Sequence, residues 1–457
     1  MSGLTTAWVA REMRKRGYFV AEGADAPIEG GAADSRRVRT GDLFTAFPGE
    51  QTDGNLYVAG ALRNGAVAAI CATPPAGEWP DKTIIIAPDP TLAVGQLAQA
   101  WRAACATRVV GITGTVGKTT AKELTAASLA TNFNTHRSEG NLNSREGLPL
   151  ALLSLRTEHE VSVLEMGMDS RGEILRLCEI AEPEVGVVLN IGLTHVSKLG
   201  SAEAIAEEKL SLPRYLSSGQ TAVLNADDER IAAAIPALNC RVISFGGADG
   251  ANLRAGPVTN LGLDGTRFAV CFEGRRAEVR SRMPGAHLVP AALAAIGCAL
   301  ALGMTLAEAS EAVSNAEAPG RIQRRTSDTG AVILDDRYNS SPASLAGALD
   351  LLGRLAGRRF ALLGKMAELG DFEVTEHEKA GRLAARSCDL LFVFGETARP
   401  LAEAARATGG SDVRWFADKD AAAAELRTLL SEGDVVLVKG SRSEALESVI
   451  PLLEGTR

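Results

Sequence analysis

The chain has 457 residues, 46% of them hydrophobic and 23% charged, with a formal net charge of −8. That length is too great for one compact core, so two or three domains are expected, and an acidic balance without a long basic run argues against nucleic acid as a partner. Seven cysteines stand singly with no CxxC pair, and an odd count argues against a complete disulfide framework, so a reducing, cytoplasmic compartment fits best.

The N-terminus, MSGLTTAWVAREMRKRGYF, lacks the apolar core of a signal peptide. Residues 1–105 mix short apolar strands with loops, as in "GDLFTAFPG" and "AVAAICA". From Arg108 apolar strands alternate with loops and helices: "RVVGIT", "EVSVLEMG", "VGVVLNIG", "TAVLNADD", "RVISFGG". Such alternation predicts a parallel, doubly wound sheet over 106–316. Within it "VPAALAAIGCALALGM" (289–304) is uncharged but shorter than the ~18–20 residues of a membrane span, and predicts a buried helix rather than membrane insertion. After "EAPGRIQ" a second alternating block begins with "AVILDD", "RRFALLG", "LLFVFG", "VRWFAD" and "DVVLVKG". It predicts a Rossmann-like unit over 317–457. The fold class is therefore α/β in three domains.

"GITGTVGKTT" (111–120) carries the clearest chemistry. An apolar strand precedes it and a helix follows, so its glycines occupy a strand-to-helix turn, where free N–H groups and the helix dipole favour a phosphate. Lys118 would reach the β/γ-phosphates and the Thr119 hydroxyl would bind Mg²⁺. The strict GxxxxGK[ST] pattern is not met, because Ile112 replaces its first glycine; Gly111, Gly114 and Gly117 form GxxGxxGKTT instead. Glu165 ends an apolar strand on the usual ligand side of such a sheet. His195 lies just past the next strand end and Lys209 fourteen residues further on. Singly, these read as a water-facing carboxylate, a structural histidine and a solvated lysine. Arg321 and Asp336 singly read as an ion pair.

Together the motifs resemble the Mur ligase family, the ATP-dependent amide-bond ligases of cell-wall synthesis. The resemblance spans nearly the whole chain and rests on the phosphate loop, Glu165, His195 and Lys209. It rests also on "DSRRVRTGDLFTAFPGEQTDG" (34–54), "GNLNSREGLPLALL" (140–153), "LNADD", "DDRYNSSPAS", "LLGKMAELGDFEVTEH" (362–377) and "VLVKGSR". It implies an N-terminal mixed α/β uridine-nucleotide domain (1–105), a central P-loop ATPase domain and a C-terminal ligase domain taking the incoming dipeptide. The implied reaction joins D-alanyl-D-alanine to a UDP-N-acetylmuramoyl-tripeptide through an acyl phosphate, by a monomer. ATP is expected on Thr113, Gly114, Thr115, Val116, Gly117, Lys118, Thr119 and Thr120, with His287, Arg321 and Asp336 completing its site. Two Mg²⁺ ions are implied, one on Thr119 and Glu165, the other supported by His195 and by a CO₂-derived carbamoyl group on Lys209. Lys118, Glu165, His195 and Lys209 are the implied catalytic set, and Ser35, Arg36, Asn141 and Asn143 the implied donor-substrate contacts.

Four motifs depart from the family pattern: Leu288 and Ala291 replace two asparagines near His287, Lys365 replaces an acid, Ser144 ends "GNLNS", and Asn55 follows "DG". These leave open a paralogous ligase joining another amine to another carboxylate. A nucleotide-binding switch that does not ligate is the reading from a different class.

Overall fold

The computed structural model describes residues 3–49, 52–192, 199, 201–318 and 322–456. Among them three sheets follow one another along the chain. The first takes the order Phe19–Ala21, Thr83–Ile86, Ala68–Cys71, Asp42–Thr45, Gly30–Ala32, with Phe19–Ala21 antiparallel and the rest parallel. Period-two alternation sorts its side chains onto two faces. Phe44, Ala69 and Cys71 meet Val58 and Leu62 on one side. Leu43, Ala68, Ile70 and Ile85 join Val9 and Leu97 on the other, in a core continuous with Leu164, Met166 and Leu212 of the central region.

The helix Pro90–Cys105 seals that continuity. Asp89 caps its N-terminus by accepting the Leu92 N–H, and Pro90 opens its first turn, where a missing N–H costs nothing. Buried Trp101 packs edge-on against Trp8, 5.2 Å between centroids, and its indole N–H donates to the Leu155 carbonyl at 3.1 Å.

In the central sheet the parallel strands run Thr135–Arg137, Val161–Glu165, Arg108–Thr113, Val185–Val188, Thr221–Asn225, Arg241–Gly246 and Leu253–Ala255. Arg108–Thr113 lies inside, and the chain leaves it first toward one edge and later toward the other. That reversal opens a crevice at the C-terminal strand ends, the place where such sheets take ligands. Alternation alone left residues 247–286 unassigned; here they include the antiparallel hairpin of Thr266–Phe272 and Arg275–Ser281, which extends the sheet. Val289–Ala301 is a buried helix packed on Lys118–Leu129, with Ile296 in the core that holds Val110, Ile112 and Leu124. No helix among the described residues is long and apolar enough to cross a membrane.

The C-terminal sheet runs Gln323–Thr326, Val332–Asp335, Val435–Lys439, Arg359–Leu363, Leu390–Phe394, Asp412–Phe416, parallel except for its first strand. Helices cover both faces and give it two cores of its own, one around Leu334, Leu363 and Leu437, the other around Phe360, Phe392 and Val436. Both faces being covered explains why its strands read as unbroken apolar runs.

Trp101→Ala should cost about 3–5 kcal/mol of stability, the range for truncating a buried aromatic. Urea denaturation followed by fluorescence of the remaining tryptophans measures it; a change below about 1 kcal/mol would show that the seam with the N-terminal sheet does not depend on this ring.

Candidate active site

The phosphate loop begins where the strand Arg108–Thr113 ends. Gly111 lies inside that strand because a Cβ there would stand 2.8 Å from the Met166 methyl. Gly117, with φ +87°, occupies the left-handed region that a side chain strains, and caps the helix Lys118–Leu129. The Gly117 carbonyl accepts the Ala121 N–H at 2.8 Å, so the N–H groups of Lys118, Thr119 and Thr120 precede the first intrahelical bond and face outward.

Two lysines converge on one oxygen of this loop. The Lys118 ammonium donates to the Gly114 carbonyl at 2.9 Å, and Lys209, from the helix Ala202–Tyr215, donates to the same carbonyl at 3.1 Å. Lys209 is 2% exposed. Burial first, and then the charge of Lys118, hold its pKa well below the ordinary lysine range, with Glu208 opposing. Glu208 itself is committed elsewhere, accepting the N–H groups of Gly172 and Ile174 at the start of Glu173–Ala181.

Glu165, buried at its strand end, accepts the Thr119 hydroxyl at 2.9 Å through one oxygen and the Asn143 amide at 2.8 Å through the other. Asn143 belongs to a loop seated on this strand end: its carbonyl accepts the Gly167 N–H. Fully buried Lys122 donates to the carbonyls of Ser138 (2.7 Å) and Gly140 (3.1 Å), fixing the same loop from below. Asn141 is exposed on it.

A cleft of about 630 Å³ separates the phosphate loop from the C-terminal region. His287, Leu288 and Ala291 form its central wall; Asp336, Ser344, Phe372 and Lys439 lie opposite. The two asparagine replacements thus line the cleft as apolar surface. His287 packs so closely on the helix Pro342–Gly353 that a Cβ on Gly347 would come 2.4 Å from its ring, and burial lowers its pKa despite the charge of Asp336. Asp336 and Lys439, both buried at neighbouring strand ends, form an ion pair, and Lys439 also donates to the Asn339 carbonyl at 2.9 Å.

The structure therefore brings Thr115, Gly117, Lys118, Thr119, Asn143, Glu165 and Lys209 together, with His287 and Asp336 across the cleft. Ser35 and Arg36 stand apart, in the turn between the strands Gly30–Ala32 and Asp42–Thr45. Arg36 is 86% exposed and forks onto Asp34, whose carboxyl it holds down to about 2; the Ser35 carbonyl accepts the Asn64 amide at 2.9 Å. His195 and Arg321 lie outside the described residues. Of the remaining departures, Asn55 ties its turn to the strand beside it by accepting the Ala72 N–H at 2.8 Å. Ser144 accepts the Gly147 N–H at 3.1 Å, and Lys365 faces Glu444 at 3.5 Å.

Sequence reasoning did not single out Lys122, Asn190, Asn225 or Lys439. Asn225 donates to the Leu189 carbonyl at 2.8 Å. Asn225 and Lys439 end strands already read as strands, and Asn190 follows one by two residues, so a polar residue closing an apolar run was the available signal.

Three family descriptions match the chain in order: "Mur ligase family, catalytic domain" over residues 27–102, "Mur ligase middle domain" over 112–299 and "Mur ligase, glutamate ligase domain" over 320–442. A UDP-N-acetylmuramoyl-tripeptide–D-alanyl-D-alanine ligase of Synechocystis is 34% identical over 432 residues, covering 94% of this chain and 92% of that one. A crystal structure of MurF from Acinetobacter baumannii superposes with a TM-score of 0.86 at 28% identity, covering 98% of each chain. MurF from Thermotoga maritima in complex with ADP superposes at 0.79 and 28% identity, covering 93% of this chain and 97% of that one.

On the edge strand Thr135–Arg137, two strands from Arg108–Thr113, buried His136 lies between Ser162 and Ser154, each hydroxyl 2.9 Å from a ring nitrogen. Burial, then the charges of His159 and Arg156, push its pKa down to about 3. Below pH 6.5 the unfolded chain takes up a proton that the folded ring refuses until about pH 3, so stability is lost as pH falls through that window. The loss should approach roughly 1 kcal/mol per pH unit. Urea midpoints at pH 7.0, 5.5 and 4.5 should fall in the native chain and fall less in His136→Gln; parallel slopes would remove His136 as the cause.

Proposed function

The chain belongs to the Mur ligase family, and from that membership we propose that it is an ATP-dependent ligase adding D-alanyl-D-alanine to UDP-N-acetylmuramoyl-tripeptide in peptidoglycan precursor synthesis. The observation that carries this reading is the convergence of Lys118, Thr119, Glu165 and Lys209 on one phosphate loop, facing Asp336 across a single cleft.

A carboxylate cannot be attacked productively by an amine, because oxide is too poor a leaving group. Transfer of the γ-phosphoryl group of ATP to the donor's terminal carboxylate gives an acyl phosphate and ADP. The dipeptide amine then attacks the acyl carbon, the C–O bond to phosphate breaks, and phosphate leaves as the amide forms. The outward N–H groups of Lys118–Thr120 hold the phosphates, and Lys118, released from the Gly114 carbonyl, follows the charge onto the γ-phosphate. Asp336 takes the ribose and His287 the base side of the cleft. Arg321 closes over the γ-phosphate and His195 contributes to the metal site in this assignment.

The Thr119 hydroxyl and the Glu165 carboxylate are adjacent hard oxygen donors, a set that fits Mg²⁺. Bound there and at a second position, Mg²⁺ neutralises the crowded phosphate and carboxylate charges. Asn143 keeps Glu165 oriented through its second oxygen. Lys209 fits carbamoylation: its amine is buried and its ammonium proton disfavoured, so the neutral amine would add to CO₂ with release of a second proton, and the two protons lost would turn a cation beside the metal site into an anion.

Residues 1–105 are assigned to the uridine nucleotide, with Ser35 and Arg36 at its diphosphate, 106–316 to ATP, and 317–457 to the dipeptide. Asn141 and Asn143 are assigned to the donor near its reacting end. Closure of the C-terminal region over the cleft brings amine and acyl phosphate together and keeps water out. A monomer working in the cytoplasm, where ATP is made, completes the assignment, and free thiols at all seven cysteines accord with it.

Incubated with Mg-ATP, the tripeptide donor and D-alanyl-D-alanine, the protein should form the pentapeptide, with one ADP and one phosphate released per amide. Lys118→Ala should lower kcat on the order of a thousandfold while the fold survives. Efficient addition of a single amino acid, with none of the dipeptide, would replace the proposed acceptor and leave the ligase class standing.

For Lys209, ¹³C-bicarbonate should give the native protein a carbamate resonance that is absent from Lys209→Ala. That variant should lose at least about a hundredfold in kcat, and short carboxylic acids should restore part of it. Native-like turnover of Lys209→Ala would end the carbamate assignment.

A further inference from the structure

Asn190, just past the end of Val185–Val188, grips the first limb of the phosphate loop from behind. Its Oδ1 accepts the Val116 N–H at 2.9 Å and the Thr115 N–H at 3.1 Å, and its Nδ2 donates to the Val116 carbonyl at 2.9 Å. The Thr115 N–H also reaches the Asn190 main-chain carbonyl at 3.1 Å. Two residues on, the Gly192 N–H donates to the Thr115 hydroxyl at 2.8 Å, and a Cβ on Gly192 would lie 3.0 Å from the Thr115 methyl. One amide side chain therefore engages both hydrogen-bonding groups of Val116 and the N–H before it.

The effect on the loop follows from its composition. Glycines at 114 and 117 let the intervening peptides turn easily, and an N–H able to turn toward a phosphate can also turn away. With Thr115 and Val116 pinned, the freedom left is small just before the unpaired N–H groups at the start of Lys118–Leu129. A loop ordered before its ligand arrives spends less binding energy on ordering.

We propose that Asn190 is a positioning residue for the nucleotide: it preorganises Thr115 and Val116 so that the helix N-terminus is set for phosphate before ATP binds. The proposal rests on the assignment of the nucleotide phosphates to this loop.

The test titrates the full-length chain calorimetrically with ADP, pyrophosphate and adenosine. Asn190→Ala should weaken ADP and pyrophosphate about thirtyfold, as expected for losing two or three neutral hydrogen bonds, while adenosine stays within twofold. A general collapse of the cleft would weaken adenosine equally, and that result overturns the proposal. So does an ADP affinity within twofold of the native chain. Lys118→Ala separates the two levels. If it loses ADP binding while Asn190→Ala does not, only the positioning role fails; if neither loses it, the phosphates bind elsewhere and the nucleotide assignment itself fails. Should Asn190→Ala not fold, amide exchange in the native chain still decides. The Thr115 and Val116 N–H groups should be protected without nucleotide, and free exchange that slows only with ADP would overturn the proposal.

Discussion

A phosphate-binding loop must leave N–H groups unpaired toward its ligand without collapsing to pair them, although unpaired backbone groups are costly wherever water is scarce. Rigidity must then come from outside the loop. Here Met166 packs under Gly111, the helix Lys118–Leu129 is buried against Val289–Ala301, and Asn190 holds Thr115 and Val116. The neighbouring 138–144 loop is fixed by the same means, with the Lys122 ammonium beneath it and Asn143 seated on Glu165. Much of what surrounds the phosphate position exists to keep it open.

Basic side chains gather around the phosphate loop. Two amines share the Gly114 carbonyl, and a third buried amine, Lys439, stands across the cleft against Asp336. Like charges in one region repel, and the chain accommodates each amine in a different way. Lys209 sheds its proton readily, Lys439 is matched by a carboxylate, and Lys118 rests on a carbonyl dipole.

Much of this was legible in the sequence because period and order carry it. The strand–glycine–helix passage at 108–129 placed the phosphate loop, and a carboxylate ending an apolar strand placed Glu165 beside it. The fully covered strands of the C-terminal sheet read as continuous apolar runs. What was not legible depends on strand order. Arg108–Thr113 lies between Val161–Glu165 and Val185–Val188, so Asn190 and Glu165 flank the loop from opposite sides, though neither is near it in sequence. Lys122 looked like any helix lysine, since nothing in its neighbours reveals that it points inward. His136 likewise shows no pattern, being buried by contacts with Ser154 and Ser162 that only the fold creates.

Leu288 touches two of the molecule's cores, packing against both the central cluster and the C-terminal one. An apolar contact has no preferred angle and no bond to break, so its energy changes smoothly with the area in contact. An asparagine at the same place would tie any movement to the making and breaking of directional bonds, each a step to climb. With leucine there, this contact between the regions carries no directional bond.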